Sequence, residues 1–210
     1  MKGILLFLLV IPLAINFIFS GCAKPKKDTE AKKDRPPEMV KEESKAEDIA
    51  NTLWTTIQNE DYREKWNMWP GKKAFYPGTG PTEPHGILLT TYVNDIAHDA
   101  IVNKKGQMPY GSTIIKENYT KNRRIISITV MQKREGYAPA KHNWFWAQYT
   151  PGGKVMIVEE HGRTIKSAGE IGICINCHGK QQNNDYIFTS PLRNEVPGDE
   201  EENRDEEKND

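Results

Sequence analysis

The sequence predicts an α+β fold: a mostly antiparallel β-sheet of about five strands, preceded by a helix and followed by a short segment with paired cysteines. Three observations lead there. Ile49, Leu53 and Ile57 recur at helical spacing behind Ser44-Lys45-Ala46-Glu47, a serine followed three residues later by a glutamate. Between Gly86 and Glu159 come five runs rich in β-branched and aromatic residues. Most of these runs are joined by short polar turns, which favours consecutive antiparallel pairing over βαβ crossovers.

The helix is expected over about Lys45 to Asn59. Trp54, Trp66 and Trp69, in and just after it, are expected to pack on the domain. Pro70 to Pro84 holds four prolines and three glycines and reads as a loop. Gly86 to Val93 is the first strand. Asn94 can cap a short helix that carries Ile96, Ala97, Ala100 and Ile101 on one face. Gly106 to Gly111 turns the chain. Thr113 to Tyr119, Ile125 to Gln132 and Asn143 to Thr150 supply three more strands, the last closed by Pro151-Gly152-Gly153. Lys154 to Glu159 is the fifth.

The most specific signal is Cys174-Ile175-Asn176-Cys177-His178. Two cysteines separated by two residues and followed by histidine read as a c-type haem attachment site. Each thiol adds across one haem vinyl group, and the spacer lets both sulfurs reach one porphyrin. The histidine then supplies an axial nitrogen to the iron. A redox-active pair or half a zinc site would also use Cys-x-x-Cys. A zinc site needs a second ligand pair, and the one other cysteine is Cys22. The segment is expected to open a short helix or turn beyond the sheet.

The N-terminus gives an address. Met1-Lys2 and an apolar run from Gly3 to Phe19, with Asn16 as its one polar residue, have the form of a secretory signal. Phe19-Ser20-Gly21-Cys22 resembles a bacterial lipobox, which implies cleavage before Cys22 and its acylation. An uncleaved anchor is the alternative, although a spanning helix needs about 20 apolar residues. Either way the domain is expected on the periplasmic side of a bacterial membrane. Residues 1–21 are read as signal, 22–45 as a charged lipid-anchored linker, 46–194 as the domain and 195–210 as an acidic solvated tail. A domain of about 150 residues can bury close to 70% of its unfolded surface. Basic and acidic residues balance at 29 each, which argues against a nucleic-acid partner.

Several motifs occur in a recognisable order. They are Asn94-Asp95-x-Ala97, Pro109-x-Gly111-Ser112 with Ile115-Lys116-Glu117, Met131-x-Lys133 with Gly136-Tyr137, and Asn143-Trp144-x-Trp146. Cys174 to His178 and Asp185-Tyr186-Ile187-Phe188-Thr189 complete the set. The chain thereby resembles the cytochrome P-460 and cytochrome c′-beta proteins over about Ile49 to Arg193. The resemblance implies a mostly antiparallel β fold, one covalent haem c, His178 as proximal ligand, an open distal side and commonly a homodimer. It implies two branches. One oxidises hydroxylamine and related species with a lysine crosslinked to the porphyrin rim, a place matched by Lys116. The other lacks the crosslink, has an apolar distal pocket and binds nitric oxide.

Lys116 sits mid-strand, where a solvent-facing lysine on a half-exposed sheet is the plain alternative. Alternation puts Ile114 and Lys116 on one face, with Thr113, Ile115 and Glu117 on the other. Ile125 to Met131 contains no acid and Ile87 to Val93 no arginine, unlike the crosslinked branch. Hydroxylamine oxidation needs a base, so this favours a gas-binding pocket. His85, His98, His142 and His161 stand in polar or turn contexts and are read as surface residues; Met108 and Met131 are read as core. Three functions follow, in order: a haem with an open site for nitric oxide or a related small nitrogen species, a P-460-type enzyme using Lys116, and a six-coordinate electron carrier whose electron partner the sequence does not name.

Overall fold

The computed structural model describes residues 36–78, 85–160 and 162–193. The signal run, Cys22, the linker up to residue 35, His161 and the acidic tail lie outside the described residues.

The first helix, α1, runs Pro37–Asn59, starting at Pro37 rather than near Lys45. Proline is pre-set for the first helical position, where its missing N–H would be unpaired anyway. Ser44 and Glu47 therefore lie inside the helix. Its buried stripe is Ala46, Ala50, Leu53 and Ile57, and the turns before Ala46 are exposed. Burying Leu53 and Ile57 contributes about 1.5–3 kcal/mol each.

A single turn α2 (Tyr62–Lys65) leads to two short edge strands, β1 (Asn67–Met68) and β2 (Tyr76–Pro77). Both pair with β3 (Leu88–Val93). The short helix α3 (Asp95–Val102) follows, capped as expected by Asn94, whose side-chain oxygen accepts from Ala97 N at 3.1 Å. The same oxygen accepts from Thr113 N, which ties the cap to β4 (Thr113–Tyr119). Then come β5 (Ile125–Lys133) and β6 (Trp144–Tyr149). Among the described residues the main sheet has seven strands, in the order β1-β3-β4-β5-β6 and then β9 (Ala168–Gly169), with β2 also on β3, and every pair is antiparallel.

The fifth predicted strand differs. β7 (Ile157–Glu160) pairs with β8 (Arg163–Lys166) in a separate two-stranded sheet. The start of the expected strand does bridge β6, Val155 opposite Tyr149, but the chain then leaves the sheet: Ile157 and Glu159 are exposed, and Val158 lines the cavity described below. The place beside β6 goes to β9 (Ala168–Gly169). Gly169 has φ +99°, and a Cβ there would meet Ala46 Cβ and Tyr137 OH at 3.0 Å, so α1 closes over it.

The register sorts the sheet into two faces. The row Tyr92–Ile115–Val130–Ala147 packs with Leu53, Ile57 and Tyr149 beneath α1. The row Val93–Ile114–Met131–Trp146 faces the other way, with α3 and the C-terminal segment. Trp54 and Trp66 pack on the first core, Trp69 on the second.

Candidate haem site

The C-terminal segment folds as α4 (Gly172–His178), continued by a 3₁₀ turn over Gly179–Asn184. Cys174, Cys177 and His178 are three and four residues apart, so the helix sets them on one face. Both cysteines are free thiols. Burial pushes the Cys174 thiol up to about 12, with Glu160 and Cys177 adding to it.

His178 is oriented through its Nδ1, which donates to Tyr186 O at 2.8 Å. The neutral ring then keeps the lone pair on Nε2, the form a metal needs. Burial lowers the pKa of His178, the Tyr186 carbonyl opposes this, and the charge of Lys116 lowers it further. Tyr186 is held in turn by its neighbour. Asp185 and Tyr186 both adopt left-handed backbone, φ 54° and 65°. The Asp185 carboxylate accepts from Lys133 Nζ at 2.6 and 2.7 Å, Met108 N at 2.8 Å and His142 Nδ1 at 3.1 Å. Trp144 Nε1 donates to the Asp185 carbonyl at 2.9 Å. Contacts from β5, β6 and the loop before β4 thus converge on the one residue that precedes the carbonyl partner of His178.

Between α4 and the sheet lies a cavity of about 280 Å³. Cys174, Cys177 and His178 line one side. The other side is the sheet. Thr91, Lys116, Thr129 and Gln148 are in register across four strands and all line the cavity. The next row along supplies Ile114, Met131 and Trp146. Lys116 and Ile114 therefore share the cavity face, while Glu117 is buried on the opposite one, bonded to Tyr62 OH at 2.7 Å, Arg63 Nε at 2.6 Å and Tyr119 OH. Met108 is core, as expected; Met131 is both core and cavity wall.

Four placements differ from the sequence reading. His85 is not a surface residue: it lines the cavity, with Nδ1 3.5 Å from Thr129 Oγ1. Burial, then the charges of Lys116 and His178, lower its pKa to about 3. His142 is half-buried on Asp185 and Tyr186 rather than free in solvent. The cavity is not apolar throughout, since Tyr76 and Thr91, joined at 2.7 Å, stand with Lys116, His85 and Thr129 on the sheet side. Two carboxylates also reach its wall, Glu159 and Glu160 of β7; Glu160 accepts from Ile173 N at 3.0 Å at the start of α4. Neither stands on the strand after Lys116. His98 is half-buried on α3, outside the cavity lining.

These residues fit a haem c. Two thiols and an imidazole share one helix face over a cavity walled by Ile114, Trp146 and Phe188. Trp146 Nε1 is buried with no hydrogen-bond partner among the described residues, a donor that a bound group with an acceptor oxygen would satisfy.

No curated protein matches the chain. A family model, Cytochrome P460, matches residues 60–189, more than half of the 210. That span takes in every strand of the main sheet, Lys116, the paired cysteines and Asp185-Tyr186. The chain belongs to the cytochrome P460 family, whose members bind haem c.

Proposed function

We propose that the protein is a membrane-tethered mono-haem cytochrome that binds nitric oxide or a related small nitrogen species. Cys174 and Cys177 hold the haem by thioethers and His178 Nε2 ligates the iron. The haem supplies an iron that binds a neutral diatomic molecule and exchanges single electrons. The observation that carries this reading is the row Thr91–Lys116–Thr129–Gln148, which brings no carboxylate to the sheet side of the cavity. A carboxylate beside Lys116 is the natural base for proton removal from hydroxylamine, and His85, with its pKa lowered to about 3 by burial and nearby charge, is a weak substitute. The acids that line the cavity come from the β7 hairpin, and Glu160 is committed to the start of α4.

A second reading has its own support. Lys116 lines the same cavity as both cysteines, which suits a lysine–haem crosslink and hydroxylamine oxidation. One preparation separates the two. Nitric oxide titration of the reduced holoprotein should give saturable, tight binding, and a tryptic haem peptide should contain Cys174 and Cys177 without Lys116. A haem peptide that includes Lys116, or failure to bind nitric oxide, would sink the first reading.

The tether is Cys22, acylated after signal cleavage, with more than one chain because a single acyl chain binds only marginally. Cys22→Ser should therefore release processed holoprotein into the soluble fraction. Membrane association unchanged in that variant would rule out the lipid anchor.

A further inference from the structure

His85 and His178 approach the same space from different supports. His178 belongs to α4 and His85 to the segment just before β3, where it rests on Thr129 of β5. Both rings line the cavity, and both are hydrogen-bonded through Nδ1. For His178 this leaves the lone pair on Nε2; for His85 the same holds when Nδ1 donates to Thr129 Oγ1, whose own hydroxyl has Lys116 O as acceptor at 3.4 Å.

Their separation is informative. The ring centres lie 6.5 Å apart with planes at 88°. The other edge-on ring pairs among the described residues range from 4.9 Å between Phe75 and Tyr119 to 6.3 Å between Tyr62 and Trp66, so this pair is the widest of them. A first-row metal binds imidazole nitrogen at about 2.0–2.1 Å, and that nitrogen is about 1.1 Å from its ring centre, so two imidazoles across one ion have centres about 6.3 Å apart. Perpendicular planes are compatible with this, because each ring can turn about its own metal bond.

The backbone holds His85 in place. Gly86 lies flat on β4: a Cβ there would stand 2.4 Å from Tyr119 N and 2.6 Å from Tyr119 O. On its other side Gly78 approaches so closely that a Cβ would fall 2.4 Å from Gly86 O, and Gly78 N donates to Ile87 O at 2.9 Å. Two glycines therefore let this segment be clamped between β4 and the chain after β2, which fixes where His85 projects.

We propose that His85 is the second axial ligand of the haem iron, so that an external ligand must displace it. The proposal rests on the haem seat described above but not on the identity of the external ligand. The apparent affinity for a displacing ligand falls by the fraction of molecules in which the position is open. His85 would then act as a built-in competitor that sets a threshold for binding.

The test uses holoprotein and reads optical and electron paramagnetic resonance spectra. Wild type should be six-coordinate and low-spin in both oxidation states. His85→Ala should be high-spin, return to low-spin with added imidazole, and bind carbon monoxide at least about ten-fold faster. Gly86→Ala should give a mixture of the two spin states. If His85→Ala does not keep haem, His85→Met serves instead: it should stay six-coordinate with altered spectra. High-spin wild type, low-spin His85→Ala, or a His85→Met spectrum identical to wild type would each overturn the proposal. A high-spin wild type that still binds nitric oxide defeats His85 as ligand and leaves the proposed function standing. A low-spin wild type whose high-spin His85→Ala variant fails to bind nitric oxide does the reverse.

Discussion

Lys133→Ala should destabilise the fold by about 3–5 kcal/mol, the range for removing one partner of a buried ion pair. Lys133 is 6% exposed and Asp185 1% exposed. Without the ammonium, the carboxylate keeps only Met108 N and His142 as partners in a place water hardly reaches. The loss is not confined to stability. Asp185 immediately precedes Tyr186, whose carbonyl fixes the tautomer and direction of His178. Chemical denaturation should show the lower midpoint, and the haem of the folded variant should exchange its axial ligand more readily. The double variant Lys133→Met with Asp185→Leu should recover only part of the loss: it removes the unpaired charge, but it leaves Met108 N without its acceptor and puts leucine at φ 54°. It should not recover the His178 environment if the main-chain turn relaxes. Equal stability of Lys133→Ala and wild type would show that the pair is not buried in solution.

Replacing both Cys174 and Cys177 with serine should remove every trace of haem that survives denaturation, because no thiol remains to add to a vinyl group. The two sulfurs are not equivalent. Cys174 packs against the second core, and its thiol is pushed up by burial and by Glu160. Each single variant should keep one thioether and show a shifted reduced optical band. Haem stain on a denaturing gel reads all three cases. Stain persisting in the double variant would place the attachment elsewhere, with Lys116 on the cavity wall the first residue to test.

Much of this architecture was legible because it depends on local pattern. Strand alternation alone placed Lys116 with Ile114 and away from Glu117, and the register puts both on the cavity wall. The cap at Asn94 and the strands β4 to β6 needed only turn chemistry and β-branched runs. What failed depends on contacts distant in sequence. Nothing near Pro84-His85-Gly86 indicates that a strand backbone will lie 2.4 Å from a would-be Cβ, so His85 read as a loop histidine. Lys133 and Asp185 are 52 residues apart, and neither reveals its burial without the other. The run Lys154 to Glu159 has the composition of a sheet strand, but only Val155 bridges β6, and only the fold shows that the rest turns to the cavity while Ala168–Gly169 pairs with β6.

The two faces of the sheet have unequal independence. Beneath α1 the core is complete in protein atoms, closed by Leu53, Ile57, Phe145 and Tyr149. On the other face the packing of Ile114, Met131 and Trp146 is interrupted by the cavity. Local unfolding free energies follow such differences in packing. In a haem-free chain the amides of α4 would exchange with solvent while those of β4 and β5 stay protected by the α1 side. A nascent chain could thus hold its sheet while its paired cysteines remain within reach of an attachment enzyme, and the loaded segment would dock last.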